Sequence, residues 1–166
     1  MAELTTQERL QPSLLDRLID DEPQARTESR ERRVMSMRQL RLAVLRDLEW
    51  LLNASCRPLG DDLHAYPLAG SSVLNYGIPD MTGLASSGIS QARVEQMVHQ
   101  AILNYEPRVV GASLGVRAVA SDDVVNNHIV FEIAGELCPL PMPEALFVRT
   151  DLDLETGQCL VREKQR

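Results

Sequence analysis

Residues 97–109, MVHQAILNYEPRV, carry the chain out of a helix and into strands, and their reading decides the fold. Val98, Ala101, Ile102 and Tyr105 recur at helical spacing, and Met97 and Val94 extend the same apolar side back toward a cap at Ser90. Glu106-Pro107-Arg108 stops that register, because proline lacks a backbone donor and biases the residue before it away from the α region. Strand-like segments follow. Residues 109–120 alternate in part through Leu114, Val116 and Ala118, and residues 127–133 alternate around Ile129, Phe131 and Ile133. A proline-rich bend is expected over 135–143. Residues 145–154 alternate through Leu146, Val148, Leu152 and Leu154, and a turn at 155–158 leads into a last strand at 159–161. Helices first and an antiparallel meander after them make an α+β fold, with N-terminal helices and a small antiparallel β-sheet.

Upstream, Leu14, Leu15, Leu18 and Ile19 share one side of a short helix within residues 10–20. Residues 20–35, DDEPQARTESRERRV, are charged throughout and read as a solvated tether. A long helix begins after Ser36, with Gln39 placed to complete a capping box. Met37, Leu40, Val44, Leu48 and Leu51 form its stripe, broadened by Leu45 and Leu52, with Trp50 off it to pack on the strands or anchor a partner. Residues 61–89 hold Gly70, Gly77, Gly83, Gly88, Pro67 and Pro79 and read mostly as loop, with a short strand at 73–76 and a turn near Pro79-Asp80. The expected division is residues 1–35 as a helix and charged tether, and 36–166 as one α+β domain.

Composition narrows the function classes. The chain has 166 residues, 44% hydrophobic and 25% charged, with only 4% aromatic, so the core is aliphatic. Net charge is -7, and all the excess negative charge lies after residue 58. That speaks against a groove that tracks nucleic-acid phosphates. Lys164 is the only lysine; the other basic side chains are arginines, which suit planar hydrogen-bonded protein contacts. No apolar run is long enough to span a bilayer, and the first residues do not resemble a signal peptide, so the cytosol is expected. Cys56, Cys138 and Cys159 are widely separated and offer neither a CxxC clip nor an even disulfide set.

Chemical candidates are sparse. Gly111-Ala112-Ser113-Leu114-Gly115 superficially resembles a nucleophile elbow without the strand–turn–helix setting. His64, His99 and His128 have no metal-ligand spacing, and Asp61-Asp62 and Asp122-Asp123 read as turn acids. The Glu106-Pro107-Arg108 corner keeps three readings: a protein-recognition contact, a catalytic acid, or a plain helix end. As an acid, Glu106 needs a cleft and a second carboxylate about 5–9 Å away, with Asp80 as the candidate. An adjacent arginine favours the charged carboxylate and works against proton donation. The N-terminal apolar helix either packs on its own domain or docks in a partner's groove.

PSLLDRLID at 12–20, SMRQLRLAVLRDLEWLLN at 36–53, SVLNYGIPD at 72–80 and YEPRV at 105–109 together resemble the type VI secretion baseplate subunit TssE. That family is similar to the small wedge protein of contractile phage baseplates, the product of phage T4 gene 25. Many relatives carry phenylalanine where this chain has Tyr105, a change expected to alter little. The resemblance implies a non-catalytic structural subunit, cytoplasmic and held in a membrane-docked baseplate. Its implied partners are the wedge proteins TssF and TssG, with TssK as a further candidate, and the sheath proteins TssB and TssC. It implies no cofactor, metal, nucleic acid or membrane insertion. Glu106, Pro107, Arg108 and Tyr105 would carry the wedge contacts, together with Leu14, Leu15 and Leu18 on the first helix. The terminal strand resembles the part that templates sheath strands. The rival reading is a lysozyme-like peptidoglycan hydrolase using Glu106.

Overall fold

The computed structural model describes residues 12–19, 24, 35–57, 63, 66–82, 90–119, 128–137 and 143–164. Helix α1 spans Leu14–Leu18, α2 Met37–Asn53, α3 Pro67–Gly70 and α4 Gln91–Tyr105, with 3-10 turns at Val73–Asn75 and Gly111–Ser113. Strands β1 (Gly115–Val119), β2 (His128–Leu137), β3 (Glu144–Asp153) and β4 (Cys159–Glu163) pair as an antiparallel meander in the order β1-β2-β3-β4. The expected α+β architecture is the observed one. The proposed division at residue 35 lies largely outside the described residues, as do the turn acids at 61–62 and 122–123, His64 and Cys138.

Local chemistry sets the two long helices. The Ser36 hydroxyl accepts from the Gln39 N–H at 3.2 Å while the Gln39 side chain accepts from the Ser36 N–H at 2.8 Å, a reciprocal capping box. Ser90 caps α4 by accepting from the Arg93 N–H at 3.4 Å. The α2 stripe buries Leu40, Val44, Leu48 and Leu51, each worth roughly 1.5–3 kcal/mol. Val94, Val98, Ala101 and Ile102 of α4 are buried too.

The two helices lie side by side on one face of the sheet, α2 against β4 and α4 against β1. Pairing puts Val116, Ile133 and Val148 on one cross-strand row, and Ala118, Phe131, Thr150 and Val161 on the next. These inward residues meet the helices in one core. Thr150 is buried among them because its hydroxyl donates to the Phe131 carbonyl at 3.3 Å. Asn53 ends α2 and clamps β4: its amide donates to the Cys159 carbonyl at 2.8 Å and its oxygen accepts from the Cys159 N–H at 2.9 Å. Burial, with Asp151 and Glu49 nearby, pushes the Cys159 thiol up to about 12. Cys56 and Cys159 are both free thiols.

Three segments differ from expectation. Residues 73–76 form no strand: the Ser72 hydroxyl accepts from the Leu74 N–H at 3.3 Å and folds the chain into a 3-10 turn. Residues 111–113 are likewise a turn and β1 starts only at Gly115, because the Ser113 hydroxyl donates to the Val110 carbonyl and accepts from the Glu136 N–H, both at 2.8 Å. β2 continues through Gly135 to Leu137 where a bend was expected, since Leu146, Ala145 and Glu144 of β3 pair along it.

Gly77 ties the 66–82 segment to the end of α2. Its φ of +117° suits glycine alone, and a Cβ there would run into the Ala54 carbonyl. That carbonyl accepts from the Ile78 N–H at 2.9 Å. Gly77→Ala is therefore expected to destabilise the fold by about 2 kcal/mol or more, read as a lowered urea midpoint.

Candidate functional site

Glu106 is the C-cap of α4, with its N–H donating to the Ile102 carbonyl at 2.8 Å and Pro107 preventing a further turn. A carboxylate at the negative end of a helix dipole is unfavourable by roughly 0.3–1 kcal/mol. Here it is also buried, at 4% exposure, so it requires a cation. Arg108 supplies one from two residues on. Its backbone N–H and Nε donate to Glu106 Oε1 at 3.1 and 2.7 Å, and Nη2 donates to Oε2 at 2.5 Å. The same Nη2 reaches Asp47 Oδ2 on α2 at 2.5 Å. Burial opposes the charge of Arg108, yet the hydrogen bonds and attraction from Glu106 and Asp47 outweigh it and raise its pKa above that of a free arginine.

The network continues outward. Arg46 Nε donates to Asp47 Oδ1 at 2.8 Å, and Arg46 Nη1 to Asp16 Oδ1 of α1 at 2.7 Å. Ser13 donates to the other Asp16 oxygen at 2.6 Å. Burial works to raise the Asp16 pKa, but Ser13 and Arg46 outweigh it and hold that carboxyl below its ordinary value. Trp50 does not pack on the strands; it is half exposed, with the Arg46 guanidinium 4.9 Å from its ring centre. Alternating charges thus link α1 to α2 and to the end of α4.

A groove of about 470 Å³ opens along this network, and Leu15, Asp47, Trp50, Tyr76, Glu106 and Arg108 are among its lining residues. Of the lining residues, Arg108 keeps one nitrogen, Nη1, buried with no acceptor among the described residues. Tyr105, also in the lining, aims its hydroxyl at the Ser72 and Asn75 carbonyls, 2.9 and 2.8 Å away, and meets Tyr76 edge-on at 5.2 Å. The hydroxyl that distinguishes tyrosine from phenylalanine here holds the 3-10 turn, so its effect is larger than the sequence reading expected. Burial foremost, then the charges of Asp47 and Glu106, raises the Tyr76 pKa.

The residues singled out from the sequence fall into three positions. Glu106 faces inward, Arg108 and Tyr105 line the rim, and Pro107 is exposed. Leu14 and Leu18 of α1 are each 73% exposed, and Leu15 is partly so. Asp47, Arg46 and Asp16 escaped the sequence reading. They lie off the apolar stripes, and no local spacing announces a pair 61 residues apart.

Asp47 and Glu106 give the groove two carboxylates, the number a glycosidase needs. Both accept from one guanidinium nitrogen, and both Glu106 oxygens are engaged by Arg108. Asp80, the partner considered for Glu106, accepts instead from the Thr82 N–H and hydroxyl at 2.9 and 2.8 Å. Ser113 is engaged in its turn, and His99 Nε2 lies 3.3 Å from the Leu114 carbonyl. Among the described residues no group of three or more His, Cys, Asp or Glu side chains could hold a metal ion. No helix among them is long and apolar enough to cross a membrane.

The profile of the baseplate wedge protein gp25 family matches residues 38–138, more than half of the chain. The chain belongs to that family. The matched span runs from α2 through the 3-10 turn, α4 and the Glu106–Arg108 corner to the end of β2, so every residue of the network except Ser13 and Asp16 lies within it. A search of curated proteins found no match to this chain. Membership of the wedge family carries a structural role in a baseplate.

Two outcomes follow from the network. Asp16 has a folded-state pKa below its unfolded one, so its hold on α1 is full above pH ~4 and is lost as pH falls through the folded value. Trp50 emission, from the only tryptophan, should stay constant from neutral pH down to that range and then shift, while Asp16→Asn should show the shifted emission at pH 7. Tyr105→Phe should cost about 1 kcal/mol and speed amide exchange at Asn75 and Tyr76, whose N–H groups close the 3-10 turn.

Proposed function

We propose that this wedge-family chain is the TssE-type subunit of a type VI secretion baseplate, a non-catalytic connector between the wedge core and the first sheath ring. The observation that carries the proposal is Arg108, which lines the groove with the half-exposed Trp50 and whose buried Nη1 has no acceptor among the described residues. A buried donor left unmade is costly, so a partner that brings a carbonyl or carboxylate to it gains affinity. Glu106 has no free oxygen to offer such a partner. Its part is to orient Arg108, while Pro107 and Tyr105 fix the backbone on either side.

The wedge proteins TssF and TssG, with TssK beyond them, are the proposed occupants of this side. The outward Leu14, Leu15 and Leu18 would seat in one of their grooves, with residues 1–35 acting as an arm on the 36–166 domain. The sheath proteins TssB and TssC are assigned to β4, an edge strand. Asn53 covers Cys159 there, and strand alternation turns the backbone groups of Val161 and Glu163 to the same outer side. An open edge of that kind can start a further strand and so help sheath assembly begin. The complex would sit at the cytoplasmic side of a membrane.

Arg108→Ala is a poor probe, because an unpaired buried Glu106 costs about 3–5 kcal/mol and threatens the fold. Arg108→Lys keeps a cation for Glu106 and removes the planar fork. Co-expressed with TssF and TssG, this variant should co-purify with them about tenfold more weakly while its melting temperature stays near that of the parent. Assembly at full yield would defeat the proposal, as would peptidoglycan release by the parent protein that Glu106→Gln abolishes.

A further inference from the structure

The face of the sheet turned away from the helices carries a second pattern. Register aligns Arg117, Glu132, Arg149 and Arg162, one from each strand, in a single cross-strand row. Lys164 reaches diagonally to Glu132 at 2.6 Å, and the nearby Arg149 and Arg117 further lower that carboxyl's pKa. Glu132 is thereby neutralised. Arg117, Arg149 and Arg162 are exposed, and none makes a side-chain hydrogen bond or ion pair among the described residues. Mixed positions flank the row: Ala134 and the exposed Phe147 on one side, and on the other the buried Val130, the exposed Leu160 and, between them, Asp151, which lies 3.0 Å from His128.

We infer that this outer sheet face docks an acidic amphipathic helix of a partner protein. Arg117, Arg149, Arg162 and Lys164 outnumber Glu132 and Asp151 on this part of a chain of net charge -7, and Arg149 and Arg162, directly opposed across two strands, repel each other. Carboxylates relieve that repulsion and match the guanidinium fork. Spacing selects the helix. Strands lie ~4.8 Å apart, so from Arg162 the row places Arg149 at ~4.8 Å, Glu132 at ~9.6 Å and Arg117 at ~14.4 Å. A helix rising ~1.5 Å per residue sets positions i, i+3, i+7 and i+10 at ~0, 4.5, 10.5 and 15 Å along one side. Acidic residues at i, i+3 and i+10 then meet the three arginines, and an uncharged or basic residue at i+7 lies over Glu132. An extended strand repeats same-side residues every ~6.7 Å and misses the row. Nucleic acid is disfavoured by the acidic remainder of the chain and by Glu132 within the row. The inference does not rest on the wedge reading, since it uses the opposite face of the sheet.

The test is a fluorescein-labelled helical peptide with Glu at i, i+3 and i+10, Gln at i+7 and leucines beside them, titrated into the full chain by anisotropy. Binding should weaken about tenfold when the glutamates become glutamines, and again for Arg149→Glu/Arg162→Glu, and it should fall with added salt. Circular dichroism of that variant should be unchanged, since both side chains are exposed. Equal binding of the glutamine peptide, or no loss on charge reversal, overturns the inference. So does tighter binding of duplex DNA at the same salt, which would assign the row to phosphates. Sedimentation showing self-association that the arginine variant abolishes would make a second copy the occupant and also overturn it.

Discussion

A carboxylate at 4% exposure at the C-terminal end of a helix is the constraint from which the rest of this structure follows. Glu106 is doubly disfavoured there, by desolvation and by the helix dipole. One guanidinium resolves both. Because Arg108 Nη2 also grips Asp47, the group that neutralises Glu106 fixes the end of α4 against the side of α2. Replacing such a buried pair with apolar side chains is often neutral or stabilising, whereas removing one partner costs about 3–5 kcal/mol against a total stability of about 5–15 kcal/mol. Its contribution is therefore the relative placement of two helices, and the groove between them is a product of that placement.

Two contacts brace the wall of the groove. Tyr105 pins the 3-10 turn through its hydroxyl, and Gly77 lets the chain after that turn pass beneath the Ala54 carbonyl. The turn in consequence exposes Val73 and Leu74, each at 81%, beside the rim. α1 has the opposite character. None of its residues is buried; its ties to the body are the Asp16–Arg46 contact and the groove contacts of Ser13 and Leu15. Among the described residues, the attachment of α1 is thus mostly electrostatic.

The sheet divides its labour between two faces. Inward positions are aliphatic and hold the helices, while the outward row concentrates arginine, and Arg41 of α2 pairs with Glu144 and Glu163 near the ends of β3 and β4.

Much was legible in the chain, because it depended on neighbours in sequence. Ser36 with Gln39, the stripe of Leu40, Val44, Leu48 and Leu51, the cap at Ser90 and the stop at Pro107 all act within a few residues, as does the Glu106–Arg108 contact. The meander followed from period-two alternation and turns. Where side-chain bonds compete with that alternation, at Ser72 and Ser113, strand-like residues became turns. Asp47, Asp16 and the hydroxyl of Tyr105 took their parts only in three dimensions, at separations of 61, 30 and about 30 residues. The row of arginines needed the register of four strands. Local propensity and periodicity are carried by adjacent residues and can be read from them; a long-range ion pair depends on how the finished core brings distant surfaces together, and only the tertiary structure decides that.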